Sequence, residues 1–386
     1  MKYVAFYDTE DYKEENRSVA LCAANVVDYM ISVISEYGEL DIISPSRTRN
    51  KSGVFHGRKN KIRDSVTLVQ PPSFGTSNLV SKAILVGYTR LWFLYYMFKN
   101  TKKGETVIAY HSVSTMNTLR IIKKLRKINL ILEVRELYSD ARENYDEFKN
   151  DQTKLRKKEL SFFEIADKYI FPTELLNEII NKENKPHVTV PGPYVVEKRL
   201  APHGWGDGKT HIVYAGTIRG AKGVLTSVDV AEELPSNYAI HILGKGTEAS
   251  IRTLEERIEK VNQLGHAQVT YEGQLRGDDY KAFLQKCDIG LVPQDPGATF
   301  TNTSFPSKIL SYLSNGLYVV SVRIPAVDES PLKEKIIFYD NNDMKSIAKS
   351  IIEAASNTSN NTTEELLNRL DKNFRDEMEK LLQNHI

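Results

Sequence analysis

Strand-like and helix-like segments alternate along the whole chain, and the alternation stops once and then restarts. Apolar or β-branched runs at Tyr3–Tyr7, Leu40–Ile43, Ser65–Val69, Thr106–Tyr110, Leu130–Val134 and Lys168–Phe171 are separated by helical patterns at Ala20–Tyr37, Leu79–Lys99, Asn117–Lys127 and Gln152–Ile165. After a Pro- and Gly-rich interval, strands are expected at His211–Tyr214, Tyr238–Leu243, Gln268–Tyr271, Ile289–Val292, Tyr318–Val322 and Ile336–Tyr339. Helices lie between these at Gly223–Glu233, Glu248–Leu264, Asp278–Lys286, Ser307–Ser314 and Met344–Ala355. A strand that returns over a helix before pairing again comes out parallel, with both faces of the sheet covered.

The interval itself contains HVTVPGP at 187–193 and APHGWGDGK at 201–209. Proline and glycine punctuate structure rather than propagate it, so the hinge is expected between Pro191 and Thr210. With 386 residues the chain suits two cores rather than one. The fold class expected is α/β, with two Rossmann-like, doubly wound domains facing across a cleft. The first is 1–195 and the second 196–361. An amphipathic C-terminal helix, 362–386, could cross back to the N-terminal domain. Ligands of such sheets bind beyond the carboxyl ends of the strands. The loops after Tyr214, Leu243, Tyr271 and Val292 are therefore expected to face that cleft.

The two cysteines, Cys22 and Cys287, are far apart and have no metal-ligand spacing, in keeping with a reducing compartment. The first apolar run is too short for a signal peptide. The longest, Ala83 to Phe98, is shorter than the roughly 20 residues a spanning helix needs and contains Arg90. A cytoplasmic protein is expected. Its net charge is only +2, yet residues 44–130 hold 17 Lys and Arg against two acids, Asp64 and Glu105, a local charge of +15. Part of the surface is built to meet anions, or is simply a solvated basic face.

Two segments could cradle phosphate. AGTIRGAKG, 215–223, follows a strand and opens a helix. Its glycines admit a ligand to the backbone, the helix start presents N–H groups, and Arg219 and Lys222 add charge. The second is FPSKILSYLSNG, 305–316, preceded by the polar run Thr299–Ser304. Pro306 suits a first helical turn, with Ser307 and Lys308 among its unpaired N–H groups and Thr303 and Ser304 alongside. His111, directly after the strand Thr106–Tyr110, is expected to face the cleft and could contact sugar or acceptor or move a proton. Asn16 and Arg17, near the next helix start, could meet an acceptor or a phosphate. No Asp-x-Asp triplet occurs, so no dedicated Mg or Mn site is expected.

GTIRGAKG, ILGKG, YEGQL, CDIGLVP and FPSKILSYLSNGLYVVS stand in the order and spacing of the C-terminal domain of GT-B glycosyltransferases. They most resemble the retaining family called glycosyl transferases group 1, or family 4. The resemblance covers Val213 to Val322 well and continues more loosely into FYDTEDYKEENR and VIAYHS. It implies a metal-independent transferase whose substrate, not cofactor, is a nucleotide diphosphate sugar, UDP favoured over GDP. The family's phosphate-binding motif falls on Gly216 to Gly223, with its lysine at Lys222 and Thr217 at its arginine position, where Arg219 could substitute. Gly244 belongs to the next loop, and the family's base-side loop falls on Gly273 and Leu275. The family's better-known histidine lies one strand after His111, where Glu136 stands as candidate base or sugar ligand. The family's glutamate pair falls on Thr303 and Ser311. Both carboxylates are absent, which leaves the stereochemical outcome open.

The implied partners are the donor, a glycan or polyprenyl-pyrophosphate-linked acceptor in surface-polysaccharide or capsule synthesis, and an anionic membrane on its inner face; no nucleic acid is expected. The membrane expectation rests on Trp92, Phe93, Tyr95, Tyr96 and Phe98 beside Arg90, Lys99, Lys102 and Lys103, unless the helix is buried and only its cations are exposed. Three other readings stay open. A nucleotide-sugar-binding pseudo-transferase is one. An NAD-dependent oxidoreductase is another, from GKGTEA at 244–249 followed by Glu272. A nucleotide-sugar epimerase is the third.

Overall fold

The computed structural model describes residues 1–9, 14–19, 21–138, 152–218, 223–295, 297, 303–341, 343–357 and 363–383, with the backbone alone for 21–23 and 152. The chain forms two compact units, Met1–Pro193 together with Asn373–Ile386, and Tyr194–Lys372.

The first unit is an eight-stranded sheet of order β10-β9-β8-β7-β1-β2-β5-β4. Its strands are β1 Lys2–Val4, β2 Leu40–Ile43, β4 Arg58–Arg63, β5 Val66–Gln70, β7 Thr106–Tyr110, β8 Asn129–Glu133, β9 Lys168–Phe171 and β10 His187–Thr189, with a separate ribbon of β3 Val54–Phe55 and β6 Ser73–Phe74. All pairings in the large sheet are parallel except β4 with β5. The order turns back at β1, so β1 and β7 flank the point where ligands of doubly wound sheets bind. The alternation of the sequence predicts this arrangement, with two differences. β4 reads RKNKIR and carries no apolar run. It is an edge strand, where charge protects unpaired backbone from other chains. β10 lies inside the interval expected to break structure; it needs only one neighbour, and Val188 and Val190 are buried.

Helices α1 Leu21–Ile34, α2 Leu79–Asn100, α3 Met116–Arg126, α4 Gln152–Phe163 and α5 Glu174–Ile180 connect the strands. Asn78 and Ser81 form a reciprocal capping box at the start of α2. Leu85, Thr89, Phe93 and Met97, four residues apart, are its buried side. Phe93 and Met97 join Val107, Leu119 and Ile122 in one core. The five aromatics that the sequence groups as one interface therefore divide. Phe93 is buried, Trp92 and Tyr96 stack at 5.1 Å and pack on the core, and Tyr95 and Phe98 are exposed. The tail of the chain also belongs to this unit. Phe374 stacks on Tyr29 at 5.8 Å, and the buried Lys168 ammonium donates to Leu381 O at 2.6 Å.

The second unit has strands β11 Thr210–Ala215, β12 Tyr238–Leu243, β13 Gln268–Gly273, β14 Ile289–Val292, β15 Tyr318–Val322 and β16 Ile336–Tyr339. They pair in parallel in the order β13-β12-β11-β14-β15-β16. Helices α6 Val224–Asp229, α7 Glu248–Asn262, α8 Gly277–Leu284, α9 Ser307–Ser314, α10 Pro325–Asp328 and α11 Met344–Ser356 cross over it. The last helix, α12 Thr363–Gln383, begins in this unit and ends in the first.

A side-chain network ties the segment after the hinge to this sheet. His211 Nε2 lies 3.0 Å from Asp207, His211 Nδ1 lies 2.9 Å from His241 Nε2, and His241 Nδ1 lies 2.9 Å from Glu272. The Trp205 ring stacks over both imidazoles at 5.2 and 5.0 Å. Burial holds the His241 pKa below its ordinary value. Glu272 is also lowered: burial alone would raise it, but hydrogen bonds from Thr270 and His241 outweigh that. Both folded values lie below the unfolded ones. Their stabilisation is therefore present above the unfolded pKa and is lost as pH falls through the folded one. For His241 the loss starts below about 6.5, and for Glu272 below about 4.5. The second unit should melt earlier at pH 5 than at pH 7, and His241→Gln should flatten that slope, followed by Trp205 fluorescence in a Trp92→Phe background. An unchanged slope in His241→Gln removes His241 as its source.

Candidate functional site

The carboxyl edge of the second sheet carries three glycine turns, after β11, β12 and β13. They are laced edge to edge by the backbone. Gly216 N donates to Leu243 O at 2.9 Å, Ile218 N to Lys245 O at 2.9 Å, and Gly244 N to Gly273 O at 2.8 Å. Gly244 has a φ of 151°, and a Cβ there would fall 1.7 Å from Gly216 O, so only glycine fits. The Tyr271 hydroxyl closes the turn by donating to Gly244 O at 3.0 Å.

Helix α9 is seated over the switch point between β11 and β14 by one side chain. The Tyr312 ring lies against Gly290, where a Cβ would meet it at 2.2 Å, and its hydroxyl accepts from Ala215 N at 2.8 Å. Burial pushes the Tyr312 phenol well above its ordinary pKa, so it stays neutral. Lys308 stands four residues earlier, on the same helix face as Tyr312. Its ammonium lies 3.7 Å from the centre of the Tyr214 ring and reaches the Gly216 backbone, where a Cβ would come within 2.9 Å of Nζ. The Tyr214 hydroxyl donates to Thr217 O at 3.2 Å, and burial raises its pKa as well. A full positive charge, a helix start and side-chain-free backbone thus converge on the turn after β11. That combination suits an anionic ligand.

Of the other residues expected at this site, Thr217 and Ser307 are exposed, Ser304, Gly273 and Leu275 are half-buried, and Thr303 and Pro306 are buried. Pro306 is the residue before α9 rather than its first turn, and it provides no side-chain cap. Its carbonyl accepts from Ile309 N at 3.0 Å. Arg219, Lys222 and the run Thr299–Asn302 lie outside the described residues. Ser311, at one of the positions where the family has glutamate, pairs with the Tyr280 hydroxyl at 3.1 Å. The GKGTEA loop follows β12, whereas the switch point lies between β11 and β14.

In the first unit, His111 and Arg17 are both buried. His111 is 2% exposed, and its Nε2 lies 2.9 Å from Glu159, itself fully buried. The rings of Phe162, Phe163 and Tyr138 surround it. Glu159 comes from α4, 48 residues away, and draws the imidazole inward. Arg17 is not available to an acceptor. Its guanidinium donates to Glu15 at 2.7 Å and to the carbonyls of Ser46 and Pro71 at 3.1 and 3.0 Å, with the side chain fully covered. It fastens three backbone segments together. Asn16 beside it is exposed, with a φ of 45°. Glu136 is exposed in the segment after β8.

Sequence reasoning missed a polar cluster at the carboxyl ends of β1, β2 and β5. Arg58 donates to Asp8, Glu15 and Gln70, and Gln70 donates to Tyr7 O, Asp8 and Ser46. Burial raises the Asp8 pKa, and the opposing pull of Arg58 does not cancel it. Separately, at the end of β8, a buried Glu133 is held by the Tyr3 hydroxyl at 2.5 Å and by Arg135 at 2.8 Å. The only signal of either cluster in the sequence is polar residues at strand ends, with no spacing to pair them.

Among the described residues, no group of three or more His, Cys, Asp and Glu is placed to hold a metal ion, and no helix is long and apolar enough to cross a membrane. Residues 209–357 match the family described as Glycosyl transferases group 1. Compared with curated proteins by sequence, the chain has no significant match. By structure it is similar to a protein from E. coli described as trehalose-6-phosphate bound with UDP-2-fluoro glucose, with a TM-score of 0.69 at 10% identity over 100% of both chains. It is also similar to a UDP-forming trehalose-phosphate synthase from Burkholderia xenovorans, with a TM-score of 0.67 at 10% identity over 99% of this chain and 98% of that one. A sucrose-phosphate synthase from Thermosynechococcus elongatus aligns with a TM-score of 0.63 at 12% identity, over 98% of this chain and 94% of that one. The chain therefore has the GT-B fold of two Rossmann-like domains, and its residues 209–357 match the glycosyl transferases group 1 family.

Proposed function

We propose that this glycosyltransferase takes a sugar from a nucleoside diphosphate donor, UDP favoured over GDP, and places it on a glycan or polyprenyl-pyrophosphate-linked acceptor in surface-polysaccharide assembly such as capsule. The observation that carries the donor assignment is the Lys308 ammonium poised over the Gly216 turn at the start of α9. A diphosphate leaving group gains negative charge as the bond to the sugar breaks. A cation and helix N–H groups fixed in place before that moment stabilise it more than they stabilise the bound donor. UDP is favoured because a UDP-sugar is bound in one structural relative and UDP is formed by another.

In the transfer the bond from the anomeric carbon to the diphosphate oxygen breaks. A bond forms from that carbon to an acceptor hydroxyl, whose proton passes to a base. Glu136 is our candidate for that base or for a sugar ligand, because it is exposed and ionisable; His111, enclosed by rings and committed to Glu159, is left a positioning role. The first unit would hold the acceptor, with Asn16 at its surface. We place the enzyme in the cytoplasm, at the inner face of the membrane.

A panel of nucleotide sugars tests the reading. The true donor should raise the melting temperature, because ligand at free concentration L that binds only the native state stabilises it by RT ln(1 + L/Kd). It should also release free nucleoside diphosphate, by hydrolysis or by transfer. Turnover should persist in EDTA. A donor that binds without ever being cleaved points instead to a non-catalytic nucleotide-sugar binder, and rescue of EDTA-treated enzyme by Mn²⁺ or Mg²⁺ defeats the metal-independent reading.

A further inference from the structure

Helix α2 carries an apolar face that none of the described residues of the first unit covers. With Leu85, Thr89, Phe93 and Met97 turned to the core, the other side presents Val80, Ile84, Tyr88, Leu91, Tyr95 and Phe98, and Leu79 is exposed at the start of the helix. These are not grazing exposures: Leu79 is 83% exposed, Leu91 70% and Tyr95 62%. The residues from Val80 to Phe98 recur every three or four positions, so they form one stripe about 27 Å long at 1.5 Å per residue. Helix α3 adds exposed Ile121 and Leu125. A water-soluble helix ordinarily places its polar residues on such a face.

The charges on the two helices are of one sign. Neither LVSKAILVGYTRLWFLYYMFKN nor MNTLRIIKKLR contains an aspartate or a glutamate. Lys82, Arg90, Lys99, Lys102, Lys103, Arg120, Lys124 and Lys127 are all exposed beside it. The aromatics at its C-terminal end are bracketed by cations, with the Arg126 guanidinium 4.2 Å over Phe98 and Lys99 5.8 Å from the Tyr95 ring. Aromatic rings and long cationic side chains together suit the headgroup level of a bilayer, where apolar bodies sit below and charges remain in water.

We propose that α2 is an interfacial membrane helix. It would lie in the plane of an anionic bilayer, with Leu79, Val80, Ile84, Leu91, Tyr95 and Phe98 entering the headgroup–acyl boundary and the surrounding cations held to lipid phosphates. Charge complementarity selects this occupant. A second copy of the chain would bring two stripes of like charge together, whereas an anionic lipid surface attracts the exposed cations of α2 and α3 in proportion to its charge. The arrangement deepens the acceptor assignment above, since it would seat the enzyme where a lipid-linked acceptor lies. Vesicle binding is read without donor or turnover, however, so either claim can fail alone.

The test is sedimentation of the full chain with vesicles of equal parts phosphatidylglycerol and phosphatidylcholine, and with phosphatidylcholine alone, at low and high salt. The wild-type protein should pellet with the anionic vesicles at low salt, at least about tenfold more than with the neutral ones, and less as salt screens the cations. Leu91→Glu with Tyr95→Glu should lose that binding about tenfold or more at an unchanged melting temperature, since neither side chain is buried. Lys99→Glu with Lys102→Glu and Lys103→Glu is a second route that leaves the apolar stripe intact, and it should weaken binding to anionic vesicles only. Wild-type protein that stays in the supernatant overturns the proposal, as does undiminished binding in both variants. Sedimentation velocity adds a further check: a wild-type dimer that Leu91→Glu with Tyr95→Glu converts to monomer would make the stripe a contact between copies, and the membrane assignment would fall.

Discussion

Lys308→Ala should weaken binding of the cognate nucleoside diphosphate by at least about tenfold. A hydrogen bond to a charged partner contributes roughly 1.5–3 kcal/mol, and each 1.4 kcal/mol is a factor of ten in affinity. The geometry concentrates that contribution on one group, because Lys308 lies against the Gly216 backbone and the Tyr214 ring at the start of α9. The substitution also removes a cation–π contact worth about 0.5–2 kcal/mol, so a modest fall in melting temperature should accompany it. Lys308→Met keeps most of the aliphatic stem and should restore part of the stability but none of the affinity. Titration calorimetry with UDP and GDP separates the two effects. Unchanged affinity for every nucleoside diphosphate in Lys308→Ala would remove the lysine from the donor site. Lys222→Ala carries the same expectation on the sequence motif alone.

Gly244→Ala should destabilise the second unit by about 3 kcal/mol or more. The added Cβ would lie 1.7 Å from Gly216 O at a backbone φ of 151°, and the atom it meets is backbone that cannot swing aside. Overpacking costs ~1–3 kcal/mol, and an L-residue held in a left-handed conformation about 1–2 kcal/mol more. Gly265→Ala is the control. Its φ of 76° is also positive, but nothing lies within 4 Å of the new methyl group, so it should cost only the backbone part. The difference between the two variants in urea unfolding isolates the collision between neighbouring turns. Equal losses would mean that the turns after β11 and β12 are not packed as closely as the structure has them. Because Gly216, Gly244 and Gly273 are laced through successive backbone hydrogen bonds, Gly244→Ala should also lower donor affinity in whatever fraction remains folded.

Much of this site is legible in the chain itself. β12, β14, β15 and β16 fall where the apolar runs put them, because a strand covered on both faces must be a short continuous apolar stretch. The turn after β11 and the helix α9 announce themselves through glycine and proline, which act over a few residues and so leave a local trace. The pairing of these two segments is less legible. Lys308 reaches Gly216 because Tyr312, one turn further along α9, is locked against Gly290 and Ala215, and that depends on β11 and β14 being neighbours.

Charge and polarity at strand ends mislead for the same reason. His111 stands at the end of β7, where a functional histidine belongs, yet a carboxylate from α4 turns it inward. Arg17 looks like a ligand for anions until three carbonyl-bearing segments close around it. β4 was invisible because an edge strand need not be apolar, and the Asp8–Arg58–Gln70 cluster because its members are 62 or fewer residues apart in no periodic pattern. Helix α2 is the clearest division of labour. Its composition determines that it is apolar, aromatic and basic. Which residues are core and which are surface was decided only when the sheet took Leu85, Thr89, Phe93 and Met97, because a helix that is apolar all round can bury any of its faces and the tertiary fold chooses one.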